Sequence, residues 1–205
     1  EDKIYLISYL IISILFAFFV FKNFNKNILI NTILISSAFY LFFITIRDFF
    51  TSKIRNVSQN IAHFGFSLLI LSILLNNLFS SEIITNLKIG ETFDNSETKI
   101  VFQSIDQKKE KNYNSIIANF EIHSANGRKD KLYPELRIYD QPVIATSEAD
   151  IKTTLLTDKF IVINLVKNQD FFNVRYQVKP FMFWIWISVI LISFGGLTSF
   201  LQKRL

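Results

Sequence analysis

Four long runs of apolar residues interrupt the sequence, each close to the length that a helix needs to cross a lipid bilayer. They cover residues 4–21, 28–46, 61–79 and 181–201. At a rise of ~1.5 Å per residue, a helix of this length spans roughly the ~30 Å hydrocarbon core of a membrane. None of the runs contains Asp, Glu, Lys or Arg. The pattern therefore predicts a multi-pass membrane protein with four transmembrane helices.

Between the third and fourth runs, apolar and polar residues alternate with a period of two. In residues 115–124 the apolar positions share one face, while Asn119, Glu121 and His123 share the other. Residues 172–178 alternate in the same way. Residues 160–166 are apolar at nearly every position, which favours a central strand buried on both faces. These patterns predict an all-β domain, sandwich-like or barrel-like, inserted between the third and fourth helices.

Shorter strands and turns complete the predicted β domain. Residues 99–104 and 136–139 are short strand candidates. Asn126-Gly127 predicts a two-residue hairpin turn, and Asp140-Gln141-Pro142 predicts a second turn. The chain is then expected to divide into three parts. These are residues 1–80 with three transmembrane helices, 81–179 as the extracytoplasmic β-rich domain, and 180–205 as the last transmembrane helix and a cytoplasmic tail.

The charge distribution bears on topology and excludes a nucleic-acid surface. The net charge is +5, yet residues 81–179 contain 14 basic and 14 acidic residues, so the whole excess lies beside the apolar runs. Cytoplasmic loops of membrane proteins are enriched in Lys and Arg. On one side of the predicted membrane lie Lys3, Arg47, Lys53, Arg55, Lys203 and Arg204, and on the other only Lys22 and Lys26. We therefore expect cytoplasmic termini and a β domain outside.

The chain begins with Glu1, and its single methionine is Met182, so we expect a piece of a longer polypeptide. Four spans are also few for enclosing a polar site. There is no cysteine, which excludes a disulfide-stapled domain and a thiolate ligand within this chain.

His63 is the strongest candidate for function, because it is the one titratable side chain inside the apolar runs apart from tyrosines. We expect a helix cap at Ser58-Gln59-Asn60. Helical spacing then puts Gln59 or Asn60, His63, Ser67 and Ile70 on one stripe, which is expected to face the bundle interior. Gly65 beside it allows close approach of a helix or a planar ligand. The residues leave two roles open for His63, namely a hydrogen bond to another helix or axial ligation of haem. A proton relay is disfavoured, since no carboxylate accompanies it.

Other polar and aromatic residues have simpler interpretations. His123 lies on the polar face of its strand and is expected to be exposed to solvent. Glu148 and Asp150 are expected in a solvated loop or at a helix start. Trp184 and Trp186 are typical of an interfacial aromatic belt after a helix start at Pro180. Gly195-Gly196 indicates tight helix packing.

Several short motifs, taken in order, carry a family resemblance. They are Ala62-His63-Phe64-Gly65, Gly90-Glu91, Asn112-Tyr113, residues 133–139, residues 146–151, residues 158–160, Arg175, Lys179-Pro180, Trp184, Trp186 and Gly195-Gly196. They make the chain from Arg55 onward similar to the C-terminal part of the CcmF family of haem lyases, which act in cytochrome c maturation. The sequence departs from the family pattern at Leu136, Ser147 and Phe160.

The resemblance implies a function, a cofactor and partners. The family attaches haem to the two thiols of a Cys-x-x-Cys-His sequence in an apocytochrome c. It takes haem from a haem chaperone and works with a partner protein that presents the apocytochrome. It also holds a transmembrane b-type haem between two histidines, and one of these corresponds to His63, which would then ligate the iron. The second axial ligand, the Trp-rich haem-handling motif and the catalytic site would lie outside this segment, in the remainder of the lyase.

The resemblance also implies a bacterial inner membrane with residues 81–179 in the periplasm, in preference to a mitochondrial inner membrane. Arg137, Arg175 and Lys179 could meet haem propionates or acidic groups of the apocytochrome, although pairing inside the domain is the simpler interpretation. The alternative function is a non-catalytic, membrane-anchored module that only recruits a partner protein. A transporter fragment is disfavoured by the uncharged spans.

Overall fold

The computed structural model describes residues 2–21, 28–51, 57–125, 127–166 and 169–202. The chain forms two compact units. One comprises Glu1–Phe79 together with Phe181–Leu205, and the other comprises Ser80–Pro180. The first unit contains the helices, and the second, here called the β unit, contains the strands.

The helical unit has the four predicted helices, which are α1 (Asp2–Phe21), α2 (Ile28–Thr51), α3 (Val57–Phe79) and α4 (Met182–Gln202). Three of them are long and apolar enough to cross a membrane, over Leu29–Thr51, Val57–Phe79 and Met182–Leu201. The apolar stretch of α1, Ile4–Phe19, is shorter. The predicted class, a membrane protein with helices before and after an inserted β domain, is confirmed.

Helices α2 and α3 extend further into their connecting loop than the apolar runs predicted. Helix α2 continues through Arg47 and Asp48 to Thr51, and α3 begins at Val57. Ser58, expected in a cap, instead lies buried in the first turn of α3. The Asn60 side-chain amide donates a hydrogen bond to the carbonyl of Asp48 at 3.1 Å. The two helices therefore also contact each other through their polar ends. These ends lie outside the apolar runs, so the hydropathy pattern did not predict them as helix.

Helices α3 and α4 approach each other closely through glycine. A Cβ added at Gly195 would lie 2.7 Å from the amide nitrogen of Ala62 and 2.8 Å from the carbonyl oxygen of Ser58. A Cβ at Gly65 would lie 3.0 Å from Ile192. Small residues that let backbones meet are the usual basis of helix association in lipid. The expected tight packing is thus found at Gly195, whereas Gly196 has nothing within 4 Å of its Cβ position.

Helices α2 and α3 share a polar contact within an apolar interface. The hydroxyls of Thr45 and Ser67 lie 2.8 Å apart in a buried hydrogen bond. Ser67 also donates to the carbonyl of Phe64 at 2.8 Å. Around them, a cluster of buried side chains joins α1, α2 and α3; its members are Ala17, Ile35, Ala38, Phe39 and Leu71.

The β unit is a sandwich of two antiparallel sheets. Its strands are β1 (Ser81–Leu87), β2 (Thr92–Asp94), β3 (Thr98–Lys109), β4 (Tyr113–Ser124), β5 (Lys129–Leu132), β6 (Glu135–Asp140), β7 (Val143–Glu148), β8 (Asp150–Thr153), β9 (Thr157–Leu165) and β10 (Phe172–Pro180). One sheet has the order β1-β10-β9-β8, and the other has the order β2-β3-β4-β6-β7 with β5 paired to β4. The alternating apolar residues of β3, β4, β9 and β10 meet between the sheets, where the rings of Phe102 and Phe120 stack at 4.5 Å.

The local predictions for the β unit have different outcomes. Strand β9 lies between β8 and β10 in its sheet, but only one of its faces is fully buried: Ile161 and Ile163 are fully buried, whereas Phe160 and Val162 on the other face are half-buried. In the predicted Asn126-Gly127 turn, Gly127 has a φ of 76°, and its amide donates a hydrogen bond to the carbonyl of Ser124 at 2.9 Å. Asn126 lies outside the described residues. The turn at Gln141-Pro142 is confirmed between β6 and β7.

Two segments expected to be loop or helix are strand. Glu148 ends β7 and Asp150 begins β8, and each of these strands is paired at the edge of a sheet. The polar residues of these edge strands hid them from the sequence analysis. Pro180 ends β10 opposite Thr157 and does not start the helix. The carbonyl of Phe181, at a φ of 62°, accepts hydrogen bonds from the amides of Trp184 and Ile185, so α4 begins at Met182.

We predict that Gly195→Ala destabilises the helical unit, because the new methyl group would have to push Ala62 and Ser58 away. Overpacking of this kind costs about 1–3 kcal/mol. The matched control is Gly196→Ala, whose methyl group meets nothing. Thermal unfolding of the detergent-solubilised protein should show a lower Tm for the first variant only. Equal Tm values for the two variants would contradict the described contact.

Candidate functional site

His63 lies on a face of α3 that the other described helices leave open. Its side chain is exposed, and among the described residues none forms a hydrogen bond or ion pair with it. Gln59, four residues earlier, and Phe66, three residues later, are exposed on the same face. Ile70, seven residues later, is half-buried. The imidazole therefore stands on an apolar helix face with both ring nitrogens unengaged by the described chain.

The predicted polar stripe of α3 is divided between two faces. Ser67 is fully buried against Thr45 of α2, and Asn60 is bonded to Asp48. His63 itself does not face the interior of the four described helices, so that expectation is wrong for this part of the chain. The small residues Ala62 and Gly65 occupy the face that meets α4.

The exposed face leaves His63 available to a group that the four described helices do not supply. Among the described residues no side chain or carbonyl is bonded to it, so it does not tie these helices together. A neutral imidazole with a free acceptor nitrogen is the form that ligates haem iron, and the porphyrin needs apolar neighbours. Phe66 and Ile70 provide such neighbours in the two turns that follow His63 on this side of α3. The residues present therefore fit a haem.

A cavity of about 490 Å³ opens on a different face of α3, between α2, α3 and α4. Its lining is entirely apolar and consists of Ile46, Phe49, Phe50, Ile61, Phe64, Leu191 and Phe194. It contains no titratable group, so it offers no chemistry beyond apolar contact.

Arg137 of the β unit is held by groups of its own sheet. Its guanidinium donates to Glu135 at 2.9 Å, approaches Glu148 at 3.9 Å, and lies 5.3 Å from the centre of the Tyr113 ring. The hydrogen bond from Arg137 holds the pKa of Glu135 below its ordinary value. The expected pairing inside the domain is thus confirmed for Arg137. Arg175 likewise pairs with Glu82 through its Nε, and Lys179 lies 5.3 Å from the ring centre of Phe160.

A second charged cluster was not recognisable from the sequence. Asp130 accepts hydrogen bonds from Lys152 and Lys159, each at 2.6 Å, and Lys159 also donates to Ser124 at 3.0 Å. Burial disfavours the charged form of Asp130, but the two lysines outweigh this effect and lower its pKa. The two lysines are 22 and 29 positions from Asp130 in sequence. The pairing of β8 with β9 brings the lysines together, and the packing of the two sheets against each other brings them to Asp130.

The remaining candidates have structural roles. His123 is half-buried, not plainly exposed, and its Nε2 lies 2.9 Å from a carboxylate oxygen of Glu121. Trp186 is 63% exposed on α4, as an interfacial belt requires, while Trp184 is half-buried. In the part of the chain that the structure describes, no group of three or more His, Cys, Asp or Glu residues could hold a metal ion.

Comparison with known proteins places the chain in a family. The family model described as "CcmF C-terminal beta-sandwich" matches residues 78–180, which is half of the chain. The chain belongs to the CcmF family.

Curated relatives agree with the CcmF assignment. The chain is 32% identical over 117 residues to the cytochrome c-type biogenesis protein ccl1 of Rhodobacter capsulatus, a match that covers 57% of this chain and 18% of that protein. It is 28% identical over 146 residues to the cytochrome c-type biogenesis protein CcmF of Pseudomonas fluorescens, covering 71% of this chain and 22% of that protein. The chain thus spans about a fifth of the length of these relatives.

A solved structure has the same fold. It is titled "Cytochrome c Heme Lyase CcmF", and the match has a TM-score of 0.71 at 16% identity. It covers 96% of this chain and 34% of the solved chain. Both the helices and the β unit of this chain therefore have counterparts in that structure.

We predict that Arg137→Gln lowers the Tm of the β unit more than Arg175→Gln does. The first change removes the hydrogen-bond donor from Glu135, whose side chain is only 20% exposed, whereas Glu82 is 39% exposed and is better solvated once its partner is lost. Circular dichroism of β structure during heating provides the measurement. A larger effect of Arg175→Gln would show that the Arg137 cluster is not a structural element.

We predict a pH dependence for the contact of β5 with β8 and β9, because the pKa of Asp130 is lowered in the folded state. Its stabilising effect is fully present above the ordinary value of 3.8 and is lost as the pH falls through the lowered folded-state value. Hydrogen exchange of β5 and β9 amides, corrected for the intrinsic rate, should reveal this loss in acid. Asp130→Asn should remove the protection already at pH 7.

The control for this measurement is Asp94→Asn. Asp94 forms an exposed pair with Lys99 at 3.7 Å, so its loss should change exchange in β5 and β9 very little. If Asp130→Asn leaves the amides of β5 and β9 as well protected from exchange as in the unmodified protein, the contacts of Asp130 with Lys152 and Lys159 do not stabilise the fold.

Proposed function

We propose that this chain is the C-terminal segment of a cytochrome c haem lyase, which supports the covalent attachment of haem to apocytochrome c. In this proposal, His63 is one axial ligand of a transmembrane b-type haem. The observation that carries it is the exposed imidazole of His63 on α3, which has no hydrogen-bond partner among the described residues. Membership of the CcmF family and the names of the curated relatives support it.

The described helices would supply one half of the haem site. Phe66 and Ile70 would contact the apolar porphyrin, and His63 would offer one neutral nitrogen to the iron. The second axial ligand has to come from outside this segment, because the only other histidine, His123, belongs to the β unit and contacts Glu121. When bound, a b-type haem would supply electrons that keep the iron of the substrate haem reduced.

The β unit has a docking role in this proposal and no catalytic one. In its described residues the prominent charged groups, Arg137, Arg175 and Asp130, are engaged within the unit, and no metal-binding cluster exists. The haem chaperone, the apocytochrome c with the protein that presents it and the remainder of the lyase are the proposed partners. The proposed location is the bacterial inner membrane, with the β unit in the periplasm. Of the basic residues behind this topology, Lys22, Lys26, Lys53, Arg55, Lys203 and Arg204 lie outside the described residues.

We predict that His63→Ala in the complete lyase abolishes the b-type absorbance, because the iron loses one of its two protein ligands. The protein should still accumulate in the membrane, since the side chain supports no contact among the described helices. Reduced-minus-oxidised spectra of the purified protein are the measurement. Added imidazole should restore part of the signal by filling the space that the side chain leaves.

The matched control for this experiment is His123→Ala, which removes the other imidazole and should leave the spectrum intact. Normal haem content in His63→Ala would defeat the ligand assignment. A protein that never contains haem, whatever residue stands at position 63, would instead favour the alternative, a membrane-anchored module that only recruits a partner.

A further inference from the structure

The hairpin between β8 and β9 has an exposed apolar tip. Leu155 and Leu156 are each 63% exposed. The turn is closed tightly: the amide of Thr154 donates to the carbonyl of Thr157 at 3.0 Å, and the Thr154 hydroxyl donates to the same carbonyl at 2.8 Å. The amide of Thr157 in turn donates to the Thr154 hydroxyl at 3.0 Å. These bonds hold two leucines away from the core of the β unit, an arrangement that is unfavourable in water.

Strand register puts this tip at the end of the sheet where the chain enters and leaves the β unit. Thr157, next to Leu156, pairs with Pro180, the last residue of β10. Met182, the first residue of α4, follows Pro180 by two residues and so lies within about 8 Å of it along the chain. At the same end β1 begins at Ser81, opposite Val178 and two residues after α3 ends.

The start of α4 has the features of a membrane interface. Its apolar span covers Met182–Leu201, and Trp184 and Trp186 lie in its first two turns. Tryptophan is enriched where the headgroups meet the hydrocarbon core. Because the span starts only two residues beyond the sheet, the headgroup layer is expected at the end of the sheet that carries the leucine tip.

The cavity next to the tip combines the kinds of group that a phospholipid contacts. It has a volume of about 570 Å³, and both leucines belong to its lining. The other lining residues are Thr98, Ser124, Arg128, Thr154, Thr157, Lys159, Tyr176 and Val178. The acidic group nearest to Lys159, Asp130, is already bridged by two lysines at 2.6 Å. The lining therefore combines apolar, hydroxyl and cationic groups, which complement the acyl chain, glycerol ester and phosphate of a phospholipid.

We propose that the Leu155-Leu156 tip inserts into the bilayer leaflet that faces the β unit, with phospholipid as its occupant. The leucines contact the upper acyl chains, and the cavity behind them receives a headgroup phosphate. The hairpin would thus anchor the sheet to the membrane at a point other than its two chain connections. This role is independent of haem ligation by His63.

Site-directed spin labelling tests this proposal directly, because the chain contains no cysteine and a single one can be introduced. For the experiment, Leu155→Cys is introduced into the lyase, any cysteine outside this chain is replaced by serine, and the new cysteine is labelled with a nitroxide. It is reconstituted in nanodiscs of phosphatidylethanolamine and phosphatidylglycerol. Collisional relaxation by oxygen, which concentrates in lipid, is compared with relaxation by a water-soluble nickel chelate. We expect the oxygen-to-nickel ratio at position 155 to be several-fold higher than at the control position.

The control is Val143→Cys, an 82% exposed apolar residue at the β6–β7 turn. This turn lies beside the Tyr113 end of β4, whereas the cavity behind the leucine tip lies at the Ser124 end, roughly 35 Å away along a 12-residue strand. Leu156→Cys serves as a second label site. High nickel accessibility at 155 and 156 would mean exposure to water, and low accessibility to both reagents would mean cover by protein. Either result overturns the proposal.

Discussion

The pairing of β1 with β10 is the contact on which the rest of the architecture depends. These strands begin and end the β unit, and Ser81 pairs with Val178. The pairing brings together the two ends of a 101-residue insertion, from Ser80 to Pro180. Because the ends meet, the insertion adds little loop-closure cost to the contact between α3 and α4. Those helices can then pack closely enough that Gly195 meets the backbone of Ala62.

Hydropathy and periodicity predicted the elements that bury apolar side chains in a regular pattern. All four helices and the long strands β3, β4, β9 and β10 follow from this rule. Strand β5 shows why the rule fails elsewhere. Its inward position is taken by Asp130, which is buried only because Lys152 and Lys159 reach it from the other sheet. Burial still alternates along β5, but a charged residue at an inward position removes the alternation of apolar and polar residues from the sequence. The sequence around Asp130 therefore resembles a loop.

For the candidate site, the residue could be chosen from the sequence but its orientation could not. Helical spacing groups His63 with Ser67, yet it does not say which face meets which helix. In the structure, small residues decide the contact with α4, since Ala62 and Gly65 permit the closest approach, and Ser67 meets the Thr45 hydroxyl of α2. The bulkier imidazole remains on the face that neither helix covers. Only the positions of α2 and α4, which are tertiary information, reveal this.

The separation of α3 from α4 in sequence has a consequence for biosynthesis. Ribosomes make α3 about a hundred residues before α4, so α3 enters the bilayer without its closest partner. During that interval the contacts of Gly65 with Ile192 and of Gly195 with Ala62 cannot form. The intervening strands are made in the meantime. Completion of the helical unit is therefore a late step in the maturation of the nascent polypeptide.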